Sequence, residues 1–492
     1  MRMERENSAA EQAFLQDLAA SLPAERLRLG QEALQPYECD GLSVLRELPL
    51  CVVLPQDRDE VQTVLRLCQE HQIPVVPRGA GTGLSGGARP VAGAVLLSLA
   101  RLNRILDIDV DNRCVRVQPG VRNLAISEAV RPYGLYYAPD PSSQIACTIG
   151  GNVAENSGGV HCLKYGLTVH NVLALDVLSA DGELLQLGGA ALDAAGYDLL
   201  ALFIGSEGLL GIVVEATLRL LPLPENTVVL LAAYDAVEAA ADAVAAIIGV
   251  GIIPAGLEMM DHLAIEAAEA FVHADYPTEA AAILLCELDG TDAELAERVQ
   301  QVESLLQKQG ASSIRVARDA ETRALLWKGR KAAFPAVGRM APDYYCMDGT
   351  IPRSRLAEVL AQIQQWSQEC GLAVANVFHA GDGNLHPLIL YDANQPAQLA
   401  AAEAFGQRIL ALCVQVGGSI TGEHGVGVEK LDSMCVQFNA AELEQMHRVK
   451  RACDPQGRLN PGKAVPSLHR CAELGAMHVH RGALPFPELE RF

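Results

Sequence analysis

The stretch PVVPRGAGTGLSGG, residues 74–87, runs from an apolar strand straight into a loop with five glycines among the nine residues from 79 to 87. Glycine admits positive φ and lets backbone approach a ligand closely. Successive N–H groups in such a loop can form a nest for a pyrophosphate. No GKS or GKT follows, and no clear helix opens on a GxGxxG pattern, so neither a P-loop nor a dinucleotide fingerprint is present. One loop of this kind is as compatible with a surface turn as with a binding site. Two more lie downstream, PDPSSQIACTIGGNVAENSGG at 139–159 and IGSEGLLGI at 204–212. Both combine glycines with small hydroxyl, amide or carboxylate side chains, and the first suits the edge of a flat polar ring. Three such loops in one α/β region are hard to explain except by a bound ligand.

Around these loops the pattern reads as short strands and helices. CVVLP is a strand, and DEVQTVLRLCQEH is a helix with Val61, Val64, Leu65 and Leu67 on its apolar side. AVLLSL and CVRVQPG are strands, and NVLALDVLSADGELLQLGG is a hairpin turning at Asp181-Gly182. From about 225 the texture changes to VVLLAAYD, an Ala-rich helix, PAGLEMMD, AAILLCELDG and a helix from ELAERVQQVESLLQKQG. This alternation predicts an α+β sheet with helices on one face. A long helix is expected from about 398 to 416. Pro222 and Pro224 mark the change, and the chain divides into a mostly helical 1–48, then 49–224, 225–420 and 421–492.

Composition narrows the function. The chain of 492 residues is half hydrophobic and has a net charge of −22, which disfavours nucleic acid and anionic membranes as partners. The apolar run Ala243 to Leu257 contains three Gly and a Pro and is short for a membrane span, so no transmembrane segment is expected. The thirteen cysteines form no CxxC pair, arguing against an iron–sulfur cluster in this chain, and the charged start has no signal-peptide core, which points to the cytoplasm.

The last third carries the chemistry. HAGDGNLH sets His379 and His386 seven residues apart across a turn, and TGEHGVG sets Glu423 beside His424 between glycines. Two imidazoles and a carboxylate suit a divalent metal such as Zn²⁺ or Mn²⁺. On an extended segment Glu423 and His424 would face opposite sides. Histidine is also the natural general base near neutral pH. The competing reading is of separate, hydrogen-bonded structural histidines, and it applies most strongly to His469, His478 and His480 in the tail. Arg330, in LLWKGRKAAFPAVGRM, could grip a carboxylate with a two-toothed guanidinium fork. Lys328, Lys331 and Arg339 are neighbours, and spacing does not choose between them.

The ordered set PRGAGTGLSGG, PDPSS, TIGGNVAENSGG, KYG and GSEGLLGI resembles the FAD domain of the vanillyl-alcohol-oxidase-type flavoproteins. The resemblance implies a two-part FAD domain plus a substrate (cap) domain with an antiparallel sheet and helices. It places the pyrophosphate on Arg78, Gly79, Ala80, Gly81 and Thr82, and the flavin ring near Pro139, Thr148, Gly151, Asn152 and Ser157. Glu207, Ile212 and Asn460 join the cofactor set, the last from a terminal segment that returns to the flavin. The first loop has no His for a covalent tether, so non-covalent FAD is expected. WKGRKAAF, HAGDGNLHP, GGSITGEHGVG and DPQGRLNPGK are similar to the branch that includes D-lactate and D-2-hydroxyglutarate dehydrogenases. That branch maps His379, His386 and Glu423 onto metal ligands, His424 onto the base and Arg330 onto the carboxylate anchor. Members acting on the dicarboxylate tend to carry a Lys near Cys346, so its absence points to a small monocarboxylic 2-hydroxy acid. PDYYCMDGTIPR and the tail favour glycolate, with D-lactate as the alternative and a non-redox alkyl transferase as the alternative from another class. The resemblance also implies a second flavin-type subunit and an iron–sulfur subunit that pass electrons to quinone, holding the chain peripherally at the inner membrane.

Overall fold

The computed structural model describes residues 7–191 and 195–467. His469, His478 and His480 therefore lie outside the described residues.

The first glycine loop leaves a four-stranded sheet ordered Leu27–Arg28, Cys51–Val53, Val95–Ser98, Val75–Arg78. The last three strands are parallel neighbours, and Leu27–Arg28 pairs antiparallel at the edge. Parallel neighbours need a crossover, and the helix Arg58–Glu70 supplies it. Its cap is Asp57, which accepts from Glu60 N, and it buries Val61, Val64, Leu65, Leu67 and Cys68. Against this lies a five-stranded antiparallel sheet ordered Ile105–Asp109, Cys114–Val117, Ile212–Arg219, Val172–Leu178, Leu184–Gly188. The expected hairpin turns at Asp181-Gly182, where Gly182 takes φ +81°. The chain's last described segment returns here: Val75 N donates to Arg458 O at 2.9 Å, and Asn460 N donates to Val75 O at 2.8 Å.

Residues 226–391 build a seven-stranded sheet in which every pairing is antiparallel, ordered Ser313–Ala317, Asn226–Tyr234, Ala282–Gly290, Gly256–Asp261, Val374–Phe378, Pro387–Tyr391, Asp343–Cys346. Helices cover both of its faces, not one. Val228, Leu230, Ala232 and Tyr234 pack into one core with the helices Val237–Gly249, Asp292–Lys308, Leu356–Cys370 and Pro396–Gln415. Val229, Leu231 and Ala233 pack into the other, with the helices His262–Val272 and Ala320–Lys331. The cause is in the strands: NTVVLLAAY has no polar residue after Thr227, and a run without alternation is buried on both sides. The apolar run Ala243 to Leu257 is broken between a helix end at Gly249 and a strand start at Gly256. Among the described residues no helix is long and apolar enough to cross a membrane.

The two halves are clasped by charge. His161 lies between Asp140 Oδ2 and Glu287 Oε1, each at 3.0 Å. Trp327 Nε1 donates to Glu287, and Lys164 and Tyr165 both reach Asp289. Burial pushes against protonation of His161, but the two carboxylates raise its pKa well above the ordinary value.

Candidate active site

The glycine loop faces a cleft of about 130 Å³ lined by Gly79 to Leu84 on one side and by Cys147, Thr148, Gly151, Asn152 and Ser157 on the other. Glu423 and His424 also line it. A second cleft of about 80 Å³ shares Gly79, Gly151 and Glu155 with the first and extends to Arg78, Glu207 and Ile212. The shared residues show that the two clefts adjoin. Gly79 is required here, because a Cβ would overlap Thr148 Oγ1. Thr148 is buried, and its hydroxyl has no hydrogen-bond partner. A buried hydroxyl without a partner beside a backbone-lined cleft fits a ligand that supplies the missing bond.

Several expected cofactor residues act as supports. Arg78 donates from Nη1 to Cys39 O at 2.6 Å, with its guanidinium over Tyr37. Pro139 does not line either cleft; its carbonyl accepts from Asn123, which also donates to Asn152 Oδ1 at 3.0 Å and so orients that amide. Glu207 accepts from Val426 N and Gly427 N at 2.7 Å each. Asn460 lines neither cleft and donates to Gly87 O and Glu207 O. Glu207 and Asn460 thereby stitch the 421–427 loop and the returning segment to the first glycine loop. Glu155 was inside the GGNVAENSGG motif without a role; it is buried, and burial together with Glu207 pushes its pKa well above the usual carboxylate range.

The histidine cluster grows out of a hairpin. His379 directly follows the strand Val374–Phe378 and His386 directly precedes Pro387–Tyr391, so the turn brings both rings together at 5.2 Å. Glu423 Oε1 lies 3.4 Å from His379 Nε2, 3.2 Å from His386 Nε2 and 3.8 Å from His424 Nε2. The His424 ring stacks on His386 at 5.0 Å and 7°. Glu423 and His424 thus serve one site instead of facing apart, because Gly422, Gly425 and Gly427 surround them and the segment is a loop, not a strand. His379, His386 and Glu423 can offer ligand atoms within 4.8 Å of one another. His386 is 2% exposed; its Nε2 meets Glu423 Oε1 as an ion-pair contact, but neither ring nitrogen completes a hydrogen bond. Orphaned imidazole nitrogens around a carboxylate fit a divalent cation. Burial lowers the His424 pKa to about 4, outweighing Asp348, so the ring is neutral at neutral pH.

Two acidic residues escaped the sequence reading. Asp348 is fully buried and binds the backbone N–H groups of Gly422, Glu423 and His424. Burial opposes its charge, but His424 and Lys430 hold its carboxyl well below the usual range. Glu258, 1% exposed, touches both His379 and Arg330. Its only sequence signal is a lone acid within the apolar part of PAGLEMMD. Arg330 lies in the last turn of the helix Ala320–Lys331, and Pro335 falls in the next short helix, Ala333–Val337. Through Glu258 and His379 it joins the cluster; Lys331 instead points to Asp140 at 3.8 Å.

Residues 49–188 match the FAD binding domain, and residues 223–464 match the C-terminal domain of FAD linked oxidases. The chain belongs to the FAD-linked oxidase family. It is 61% identical over 478 residues to the glycolate oxidase subunit GlcD of Escherichia coli (strain K12), covering 97% of this chain and 96% of that protein. It is 40% identical to the GlcD of Bacillus subtilis (strain 168), over 87% and 91% of the two chains. A D-lactate dehydrogenase of Anaerostipes hadrus is 33% identical, over 90% and 95%. Solved structures of p-cresol methylhydroxylase with substrate bound (TM-score 0.79, 18% identity, 94% and 98% covered) and alkyldihydroxyacetonephosphate synthase (TM-score 0.75, 17%, 94% and 87%) share the fold. A methylhydroxylase and a synthase share this fold, so the fold alone does not choose the chemistry. The family is one of FAD-dependent oxidoreductases, and its two-part FAD domain with a cap is the architecture described above.

Proposed function

We propose that this chain oxidises glycolate to glyoxylate as the FAD-bearing subunit of a larger assembly. The observation that supports the reading is that Glu423 and His424 line the same cleft as Gly79, Thr148 and Asn152, the loops expected to hold the flavin. The substrate follows the 61% identity to a glycolate oxidase subunit, against 33% to a D-lactate dehydrogenase.

FAD, held without a covalent tether, supplies a hydride acceptor at N5. His379, His386 and Glu423 would hold a divalent Zn²⁺ or Mn²⁺, which would supply Lewis-acid charge. Arg330 binds the substrate carboxylate through the donors Glu258 leaves free. His424 takes the substrate hydroxyl proton at Nε2. Thr148, Asn152 and Ser157 hold the ring edge, and the glycines at 79 and 81 let the backbone close on the cofactor. Cys346, near where members acting on a dicarboxylate tend to carry a Lys, offers no cation for a second carboxylate, which supports a monocarboxylate substrate. Electrons then pass to a second flavin-type subunit and an iron–sulfur subunit and on to quinone, with the chain cytoplasmic and peripheral at the inner membrane through those partners.

The test is the visible spectrum of the purified chain without air, before and after glycolate. Bleaching of the flavin band by glycolate, faster than by D-lactate, is the expected result. A flavin that D-lactate bleaches faster reassigns the substrate, and a flavin that no 2-hydroxy acid bleaches refutes the oxidative reading.

A further inference from the structure

We infer that Glu258 is a positioning residue that sets two halves of the active site at once, fixing the His379 ring toward the metal ligands and holding Arg330 toward the substrate carboxylate; the inference rests on the function proposed above.

Glu258 sits on the strand Gly256–Asp261, paired on one side with Ala282–Gly290 and on the other, at Met259 and Met260, with Val374–Phe378. Its neighbours along the strand, Leu257, Met259 and Met260, are buried in core, and its register partner is Leu285. A carboxylate there is costly unless it is paired on every side. Two partners are present. Oε1 lies 2.7 Å from His379 Nδ1, and Oε2 lies 2.6 Å from Arg330 Nη2. Both partners are themselves buried, at 8% and 3% exposure.

The two contacts do different things. An ionised carboxylate only accepts, so the proton of the His379–Glu258 bond resides on Nδ1, and the lone pair of the neutral ring is at Nε2. Nε2 is the nitrogen that faces Glu423 at 3.4 Å. A carboxylate behind a ligating imidazole fixes its tautomer and orientation and raises its basicity. The Arg330 contact is instead an ion pair at one Nη that balances the buried charge. Its Nε is buried without a hydrogen-bond partner, which marks a donor left for a ligand. The Glu258 side chain spans from a metal ligand to the substrate anchor, so one substitution should reach both.

Mn²⁺ binding to the FAD-loaded full chain, measured by equilibrium dialysis, tests this apart from turnover. Glu258→Gln keeps the shape and removes the charge. Mn²⁺ affinity is expected to fall about 10- to 100-fold, the usual effect of losing such a partner, with FAD content unchanged and the KM for glycolate raised. Arg330→Met separates the two contacts: alone it raises KM but leaves Mn²⁺ affinity within about threefold, and adding Glu258→Gln to it still lowers Mn²⁺ affinity. Equal Mn²⁺ affinity in wild type and Glu258→Gln overturns the inference while leaving the proposed function standing. Loss of affinity only where Arg330 is present also overturns it, since Glu258 would then be a counter-charge alone. A wild-type chain that binds no divalent ion overturns the ligand assignment and this inference together. If Glu258→Gln does not fold, Glu258→Asp carries the test, because it keeps the charge but withdraws it by one methylene. A loss of more than about threefold in Mn²⁺ affinity then supports the inference, and wild-type affinity refutes it.

Discussion

Asp348→Asn removes one charge from the centre of the cluster, and the structure sets the size of the effect. Asp348 Oδ2 accepts from Thr421 Oγ1 at 2.5 Å, His424 N at 2.9 Å, Gly422 N at 3.1 Å and Lys430 Nζ at 3.2 Å. Oδ1 accepts from Asn384 Nδ2 at 2.9 Å and Glu423 N at 3.2 Å. An amide has one oxygen, so whichever way it turns, its NH₂ faces groups that are themselves donors. Lys430, 1% exposed, loses its nearest carboxylate. Breaking a buried pair of this kind costs roughly 3–5 kcal/mol. For a domain of roughly 240 residues the unfolding entropy is about 0.5 kcal/mol/K, so the expected fall in Tm is about 6–10 °C. The loop carrying Glu423 and His424 hangs on the same carboxylate, and a displacement of about 1 Å at a reacting group costs roughly a hundredfold in rate. Differential scanning calorimetry and stopped-flow flavin reduction by glycolate measure the two effects. A variant with Tm within about 2 °C of wild type and undiminished flavin reduction would show that Asp348 does not hold this loop, and the reasoning would fail.

Four further outcomes are expected. His424→Ala should abolish flavin reduction by glycolate while FAD stays bound; reduction at the wild-type rate removes His424 from the base role. Arg330→Lys should mainly raise KM, since a point charge replaces a fork, and steady-state kinetics identical to wild type would point to another anchor. Gly79→Ala should lose bound FAD, because the added methyl overlaps Thr148 Oγ1; the flavin-to-protein absorbance ratio reports it, and full flavin content contradicts the placement of the cleft. The His161 clasp should weaken with rising pH. Its raised pKa means its stabilisation is fully present below the ordinary value of 6.5 and is lost as pH rises through the higher folded value. Tm should therefore fall above pH 6.5 by more in wild type than in His161→Gln, and parallel curves for the two proteins would rule the clasp out as the cause.

Much of this was legible in one dimension because local chemistry demanded it. Five glycines in nine residues after a strand can be read as a loop that meets a ligand, since no other residue leaves the backbone so bare. The helix Arg58–Glu70 and the Asp181-Gly182 turn follow from period and turn chemistry. His379 and His386 are seven residues apart and meet because a hairpin turn joins them, a contact that spacing can suggest. What sequence could not supply were contacts made across the chain. Glu258 reaches a histidine 121 residues away, and Asp348 gathers the Thr421 hydroxyl and the 422–424 backbone from 73 to 76 residues away. In sequence each is a single acid without a pattern, and only burial among apolar strands turns it into a group that must be paired. The same holds for the faces of the seven-stranded sheet: the runs of Val, Leu and Ala state that both sides are covered, but which helices cover them is decided by connectivity. The sequence by itself determined the ligand-bearing loops and the reactive side chains, because those depend on residue type and short spacing. The tertiary structure alone decided their common orientation around one cleft, because that depends on buried charges satisfied by residues far apart in the chain.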